Sequence, residues 1–174
     1  MATATIAAKT ESTFLDWLRD AHAMEKHAEQ MLSNSASRIE NYPELKAQIE
    51  HHLDQTRRQA ESLRRCIERH DSSTSMFKDT AAKVMGFGQA LTGLTVSDEV
   101  VKASAASYAF EQMEIATYKV LIVAAEECGD METKRVCEQI LDEEEAMADW
   151  LDEHLPAITH TYLAREAAGE TAKH

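Results

Sequence analysis

The chain has 174 residues, a formal net charge of −13, 44% hydrophobic residues, and only five glycines and two prolines. Its 31 acidic residues outnumber the 18 basic ones, which disfavours a duplex-coating protein, since phosphate binding needs clustered Lys and Arg, so nucleic acid is not an expected partner. The length suits one domain, and the scarcity of turn formers favours a core built from a few long helices.

The N-terminal stretch MATATIAAKTES lacks the apolar run of about 7 to 15 residues that a signal peptide needs. No segment approaches the roughly 18 uncharged apolar residues of a membrane span. A cytoplasmic protein without a membrane partner is expected. Cys66, Cys128 and Cys137 are odd in number and form no C-x-x-C pair. They read as small buried hydrophobes rather than as a disulfide framework or a structural zinc site.

After a flexible tail over residues 1–11, Phe14, Leu18, Ala21, Glu25, Ala28, Leu32, Ser35 and Ile39 recur at alternating steps of four and three. That spacing is the seam of a helix in a bundle, and Glu25 is its one acid. Asn41 as a cap, with Pro43 near the first helical position, opens a second helix to about His70. Its seam of Leu45, Ile49, His52, Thr56, Gln59 or Ala60, Leu63 and Ile67 is apolar at the ends and polar in the middle. The loop signal DSSTS at 71–75, a short amphipathic helix over 76–91 and a cap at Ser97 then form a crossover.

From Val100 to Ala125 the only charges are Lys102, Glu111, Glu114 and Lys119, so a third helix covered on several sides is predicted. Gly129 ends it and Asp130 caps a fourth helix, whose seam of Thr133, Cys137, Ile140, Glu144, Met147 and Leu151 runs to Pro156. A short C-terminal helix comes next, and residues 166–174 form a second flexible tail. Two long hairpins joined by a crossover make an all-α four-helix bundle, with its domain over residues 12–165. Glu25 to Gln55 and Glu114 to Glu144 both span 30 positions, while Glu25 to Glu114 and Asn41 to Asp130 both span 89. The metre reads as a two-fold repeat of a helical hairpin.

At about 100° per residue, Glu25 and Glu144 point inward, and Ser104, Ser107, Glu111, Glu114 and Tyr118 form one polar stripe on the third helix. Burying an ionised carboxylate without a partner costs several kcal/mol, so such groups bind a cation, pair with a base or take up a proton. Carboxylate oxygens and imidazole suit iron and manganese. The candidate metal ligands are therefore Glu25, Glu111, Glu114 and Glu144, with His22 one turn before Glu25 and His52 on the second helix. Arg57 and Arg58 point away from the seam; turned inward, either would pair with Glu114 or Glu144 in place of a metal. The acid run Asp142 to Glu145 is otherwise a solvated face.

The blocks WLRDAHAMEKHAEQML, NYPEL, HLDQT, YAFEQMEIATY and LDEEEAMADWL resemble the YciE/YciF family of ferritin-like bacterial stress proteins, specifically its YciE branch, over about residues 12–165. The resemblance implies a ferritin-like up-down bundle that dimerises, a cytoplasmic role in general stress, and kinship with rubrerythrin-like di-iron proteins. In those proteins each helix supplies a glutamate, the third supplies an extra one, and histidines follow the glutamates of the second and fourth helices. By this resemblance Glu25 matches the first-helix ligand, Glu111 and Glu114 the third-helix pair, and Glu144 the fourth-helix ligand. The chain departs from the pattern at Gln55, at Arg58 and Gln59 one turn on, and at Met147 and Ala148 after Glu144. Neither half carries Glu-x-x-His.

Two functions are open on this pattern. One is a di-iron or manganese site reacting with oxygen or peroxide, its ions bridged by Glu114 and Glu144 with Glu25 and Glu111 terminal. The other is a metal-free, degenerate bundle serving as a structural or partner-binding stress protein, its glutamates protonated or hydrogen-bonded to Tyr118, Ser107, His22 and Gln55. An iron-storage cage of the mini-ferritin kind lacks its interface ligands and basic tail here. The apolar third helix calls for a second chain or the crossover helix over its back, and a homodimer is expected.

Overall fold

A computed structural model of the chain describes residues 2–70 and 99–172. They form four helices: α1 (Ala2–Arg38), α2 (Pro43–His70), α3 (Glu99–Glu127) and α4 (Met131–Ala167). The expected helix over 76–91 and the cap at Ser97 lie outside the described residues. Among the described residues no strand occurs and no helix is long and apolar enough to cross a membrane.

Local chemistry sets most of the boundaries. Pro43 opens α2, where its missing N–H costs nothing, and Glu44 beside it suits the positive end of the helix dipole. Gly129, at φ 73°, turns the chain out of α3. Its N–H bonds Glu126 O at 3.0 Å while Asp130 N–H reaches back to Ala125 O at 2.9 Å, the paired bonds of a Schellman stop. Asp130 then caps α4 by accepting from Thr133 N at 3.1 Å.

Two boundaries differ from the sequence reading. Residues 2–11, expected as a tail, continue α1 toward its N-terminus; the stretch is rich in alanine and holds no glycine or proline to stop a helix. The helix expected after Pro156 is not separate, because α4 runs unbroken through that proline to Ala167. Contacts beyond the proline anchor its last turns. Ile158 and Tyr162 are buried, Arg165 donates to Asn41 Oδ1 at 3.0 Å, and Tyr42 Oη donates to Ala172 O at 2.7 Å.

α1 packs on α2 and α3 on α4, while α2 touches α4 and α1 touches α3. Arg38 of α1 pairs with Glu99 at the start of α3. At the opposite end, Arg69 and His70 of α2 bond Asp130 before α4 at 3.0 and 2.7 Å. α2 and α3 therefore run parallel, and the link between them joins opposite ends of the bundle. This is the ferritin-like four-helix arrangement with one long crossover. One apolar cluster gathers Phe14, Leu18, Leu63, Leu121 and Ile140 with the buried Cys66 and Cys137. A second gathers Ile39, Leu45, Leu151 and Ile158. The two meet at a layer of buried polar side chains.

Candidate metal centre

Every helix contributes to that layer. α1 supplies Glu25, α2 His52, α3 Glu111 and Glu114 one turn apart, and α4 Glu144, each at most 2% exposed. One ligand atom each from His52, Glu111, Glu114 and Glu144 lies within 4.8 Å of the others. His52 Nε2 stands 3.2 Å from Glu111 Oε2 and 3.3 Å from Glu144 Oε2. Across the layer, Glu25 Oε1 accepts a hydrogen bond from the buried Tyr118 hydroxyl.

The other nitrogen of His52, Nδ1, lies 3.2 Å from Gln55 Oε1. A carbonyl oxygen accepts, so Nδ1 carries a hydrogen; the protonated ring then donates from Nε2 to the two carboxylates, and the neutral ring turns the Nε2 lone pair toward them. Lone pairs facing one another repel unless Nε2 takes a proton or a cation stands among them. Gln59 grips Glu144 from the other side, donating from Nε2 to Glu144 Oε1 at 2.6 Å and to Glu143 Oε2 at 2.8 Å.

Burial dominates the electrostatics. It pushes the Glu25 carboxyl well above the usual range, with the charge of Glu144 adding to it and the Tyr118 hydrogen bond opposing it. Glu114 is pushed well up by burial and then by the charges of Glu25, Glu144 and Glu111. Glu144 rises to about 7 through burial, against the pull of His52. Burial alone lowers His52, but Glu111 and Glu144 outweigh it and the imidazole titrates well above its ordinary range. Tyr118 is also raised, by burial and then by Glu25.

Among the described residues, Glu25 Oε2 and Glu114 Oε1 are buried without a hydrogen-bond partner, and the buried Glu111 Oε2 and Glu144 Oε2 face only His52 Nε2, at 3.2 and 3.3 Å. Leaving one such acceptor unmatched costs about 1–3 kcal/mol, and more when it is charged. Four at one level beside an imidazole fit a hard cation, since oxygen and imidazole donors suit iron and manganese. No guanidinium fills the role. Arg57 is at the surface with Glu29 and Asp54 at 3.2 and 3.0 Å, and Arg58 is exposed.

Of the residues expected from sequence, the fold brings together Glu25, Glu111, Glu114, Glu144 and His52. His22 stays apart from the cluster. It is half-buried, and burial followed by the charges of Lys26 and Arg64 lowers its pKa. Gln55 orients His52. Gln59 is the residue the sequence underrated: it stands seven positions after His52 on the same stripe, a spacing of two turns that signals its inward position.

Comparison with known proteins agrees with this architecture. A protein of Xanthomonas campestris pv. campestris has a crystal structure 41% identical in sequence, with a TM-score of 0.77, covering 91% of this chain and 99% of its own. The E. coli stress protein YciF shares 24% identity with a TM-score of 0.71, over 84% of this chain and 94% of its own. YcfI of Rhodopseudomonas palustris, described as a candidate structural protein, shares 26% with a TM-score of 0.63, over 82% and 92%. Residues 9–164 match the family described as "Domain of unknown function (DUF892)". The chain belongs to the DUF892 family, as its blocks resembling the YciE/YciF proteins led one to expect.

Proposed function

We propose that this chain is a cytoplasmic stress protein whose carboxylate and histidine layer binds iron or manganese and reacts with oxygen or peroxide. The observation that carries the reading is the set of four buried carboxylate oxygens that, among the described residues, no donor other than His52 Nε2 approaches, while His52 Nδ1 is already engaged by Gln55. His52, Glu111, Glu114 and Glu144 would hold one ion. With Glu25 beside them, the same carboxylates would hold a second ion. A bound ion supplies the one-electron chemistry toward oxygen or peroxide that no side chain here provides. The chain's own residues orient and enclose: Gln55 fixes the His52 ring, Gln59 holds Glu144, Tyr118 holds Glu25, and the two apolar clusters keep out bulk water. The likeness to YciF, an E. coli stress protein, supports the biological role.

The test is elemental analysis of protein purified without chelators and then supplied with ferrous or manganous salt. At least one ion per chain is expected, and Glu114→Ala should lose it. Equal metal in both proteins, or none in either, overturns the reading. A metal-free bundle is the second reading, favoured by Gln59 donating to Glu144 and Tyr118 donating to Glu25, which satisfy one oxygen of each carboxylate without any ion. The description of YcfI as a candidate structural protein also suits it.

A homodimer is part of the proposal. Trp17, Val120 and Val123 are 44%, 51% and 60% exposed and line one groove along α1 and α3. A second copy would cover them. A monomeric mass by light scattering contradicts this.

A further inference from the structure

Among the described residues, a cleft of about 320 Å³ lies between the last turns of α1 and the first turns of α3. Its walls are apolar at Leu32, Ile39, Leu45, Val100 and Leu151, with Asn34, Ser35 and Ser37 adding polar groups along α1. Arg38, half exposed and paired with Glu99, marks its solvent side. Ser104 and Ser107 line it along α3 toward the carboxylate layer. Ser107 Oγ donates to Glu111 Oε1 at 3.4 Å, and Glu111 Oε2 is 3.2 Å from His52 Nε2. The cleft thus ends one side chain away from the candidate centre.

Size and chemistry together define what fits. An apolar cavity of about 150 Å³ takes a benzene ring, so this one takes roughly ten to twelve non-hydrogen atoms. Dioxygen and hydrogen peroxide need no such space. The apolar walls call for a hydrocarbon body. The hydrogen of Ser104 Oγ is spent on Val100 O at 2.8 Å and that of Ser107 on Glu111. Both hydroxyls therefore offer lone pairs, and they match a head group that donates a hydrogen bond. With Arg38 neutralised by Glu99, the solvent side makes no demand for an anion.

We propose that this cleft binds a small apolar molecule of about ten non-hydrogen atoms ending in –OH or –OOH, an alcohol or organic hydroperoxide, with its head group at Ser104 and Ser107. The inference deepens the metal reading and rests on it for any reaction of the bound molecule, while binding itself needs no metal.

The experiment uses the full-length, metal-free chain and the unreactive alcohol 2-phenyl-2-propanol, with binding read by calorimetry or by methyl shifts in NMR. Saturable binding is expected. Ala103→Leu, which fills the cleft, should weaken it at least tenfold. Ser107→Ala should weaken the alcohol but not isopropylbenzene, which has no hydroxyl. Absence of saturable binding, or equal affinity in wild type and Ala103→Leu, overturns the inference. Circular dichroism checks that Ala103→Leu folds; should it not, Ala106→Leu on the same wall decides by the same comparison. Metal uptake without alcohol binding overturns the cleft alone. Alcohol binding without metal uptake sustains the cleft and overturns the metal reading.

Discussion

Gln55 and His52 are a directed pair: with the amide oxygen 3.2 Å from Nδ1, Nε2 is left to face the carboxylates of Glu111 and Glu144. Partners that orient a ligating imidazole typically contribute 10- to 100-fold in metal affinity. Gln55→Leu is therefore expected to weaken iron or manganese binding by about that factor while leaving every ligand in place. Metal titration with elemental analysis checks it, and a shift in thermal stability with unchanged affinity would assign Gln55 a packing role only.

The layer also dictates a pH response for the metal-free protein. Glu144 rises from an ordinary 4.5 to about 7, and Glu25, Glu114 and His52 are raised as well. Each holds its proton more tightly folded than unfolded, so the native state binds more protons and stability falls with rising pH. The contribution of Glu144 is complete below about pH 4.5 and lost as pH rises through about 7. The shift corresponds to about 3 kcal/mol. The Tm of the metal-free chain should decline between pH 5 and pH 9, and Glu144→Gln should flatten that decline. A Tm that climbs over the interval refutes the arrangement. Metal replaces those protons, so its affinity should rise over the same interval.

Tyr118 is the neutral donor to Glu25 on the far side of the layer. In Tyr118→Phe that carboxylate loses its one hydrogen bond in the layer, since Oε2 already has none. The expected cost is about 1–3 kcal/mol in the metal-free protein, read by urea unfolding. Removing both partners in Tyr118→Phe with Glu25→Leu should cost less than the sum of the single changes, because the donor and the acceptor it serves disappear together. Additive losses would show that the hydroxyl does not serve Glu25.

Periodicity made most of this architecture legible. The α2 seam, apolar at Leu45 and Ile67 and polar at His52, Thr56 and Gln59, is buried throughout, because a 3.6-residue repeat fixes which face turns inward. Gly129 and Asp130 were legible because a left-handed stop and a side-chain cap depend on single residues. What periodicity lacks is the neighbour. His22 shares the Glu25 face within a turn, yet its surroundings are Lys26, Arg64 and Glu61 rather than the carboxylates. Gln59 read as a departure from a ligand pattern, because nothing local says that an amide at that position meets Glu143 and Glu144 from α4.

The continuity of α4 through Pro156 yields a final test. A proline inside a helix removes one hydrogen bond to the carbonyl four residues back, here that of Asp152, and its ring crowds that carbonyl, at a cost of about 3 kcal/mol. Pro156 is exposed and belongs to neither apolar cluster, so replacing it removes little core packing. Pro156→Ala restores the N–H but frees the unfolded chain, which returns about 0.4–1 kcal/mol. The variant should be more stable by about 2 kcal/mol in urea unfolding, with the circular dichroism of the native state unchanged. If the helix instead broke at this position, alanine would relieve no clash, the unfolded-state effect would stand alone, and the variant would be slightly less stable than the parent.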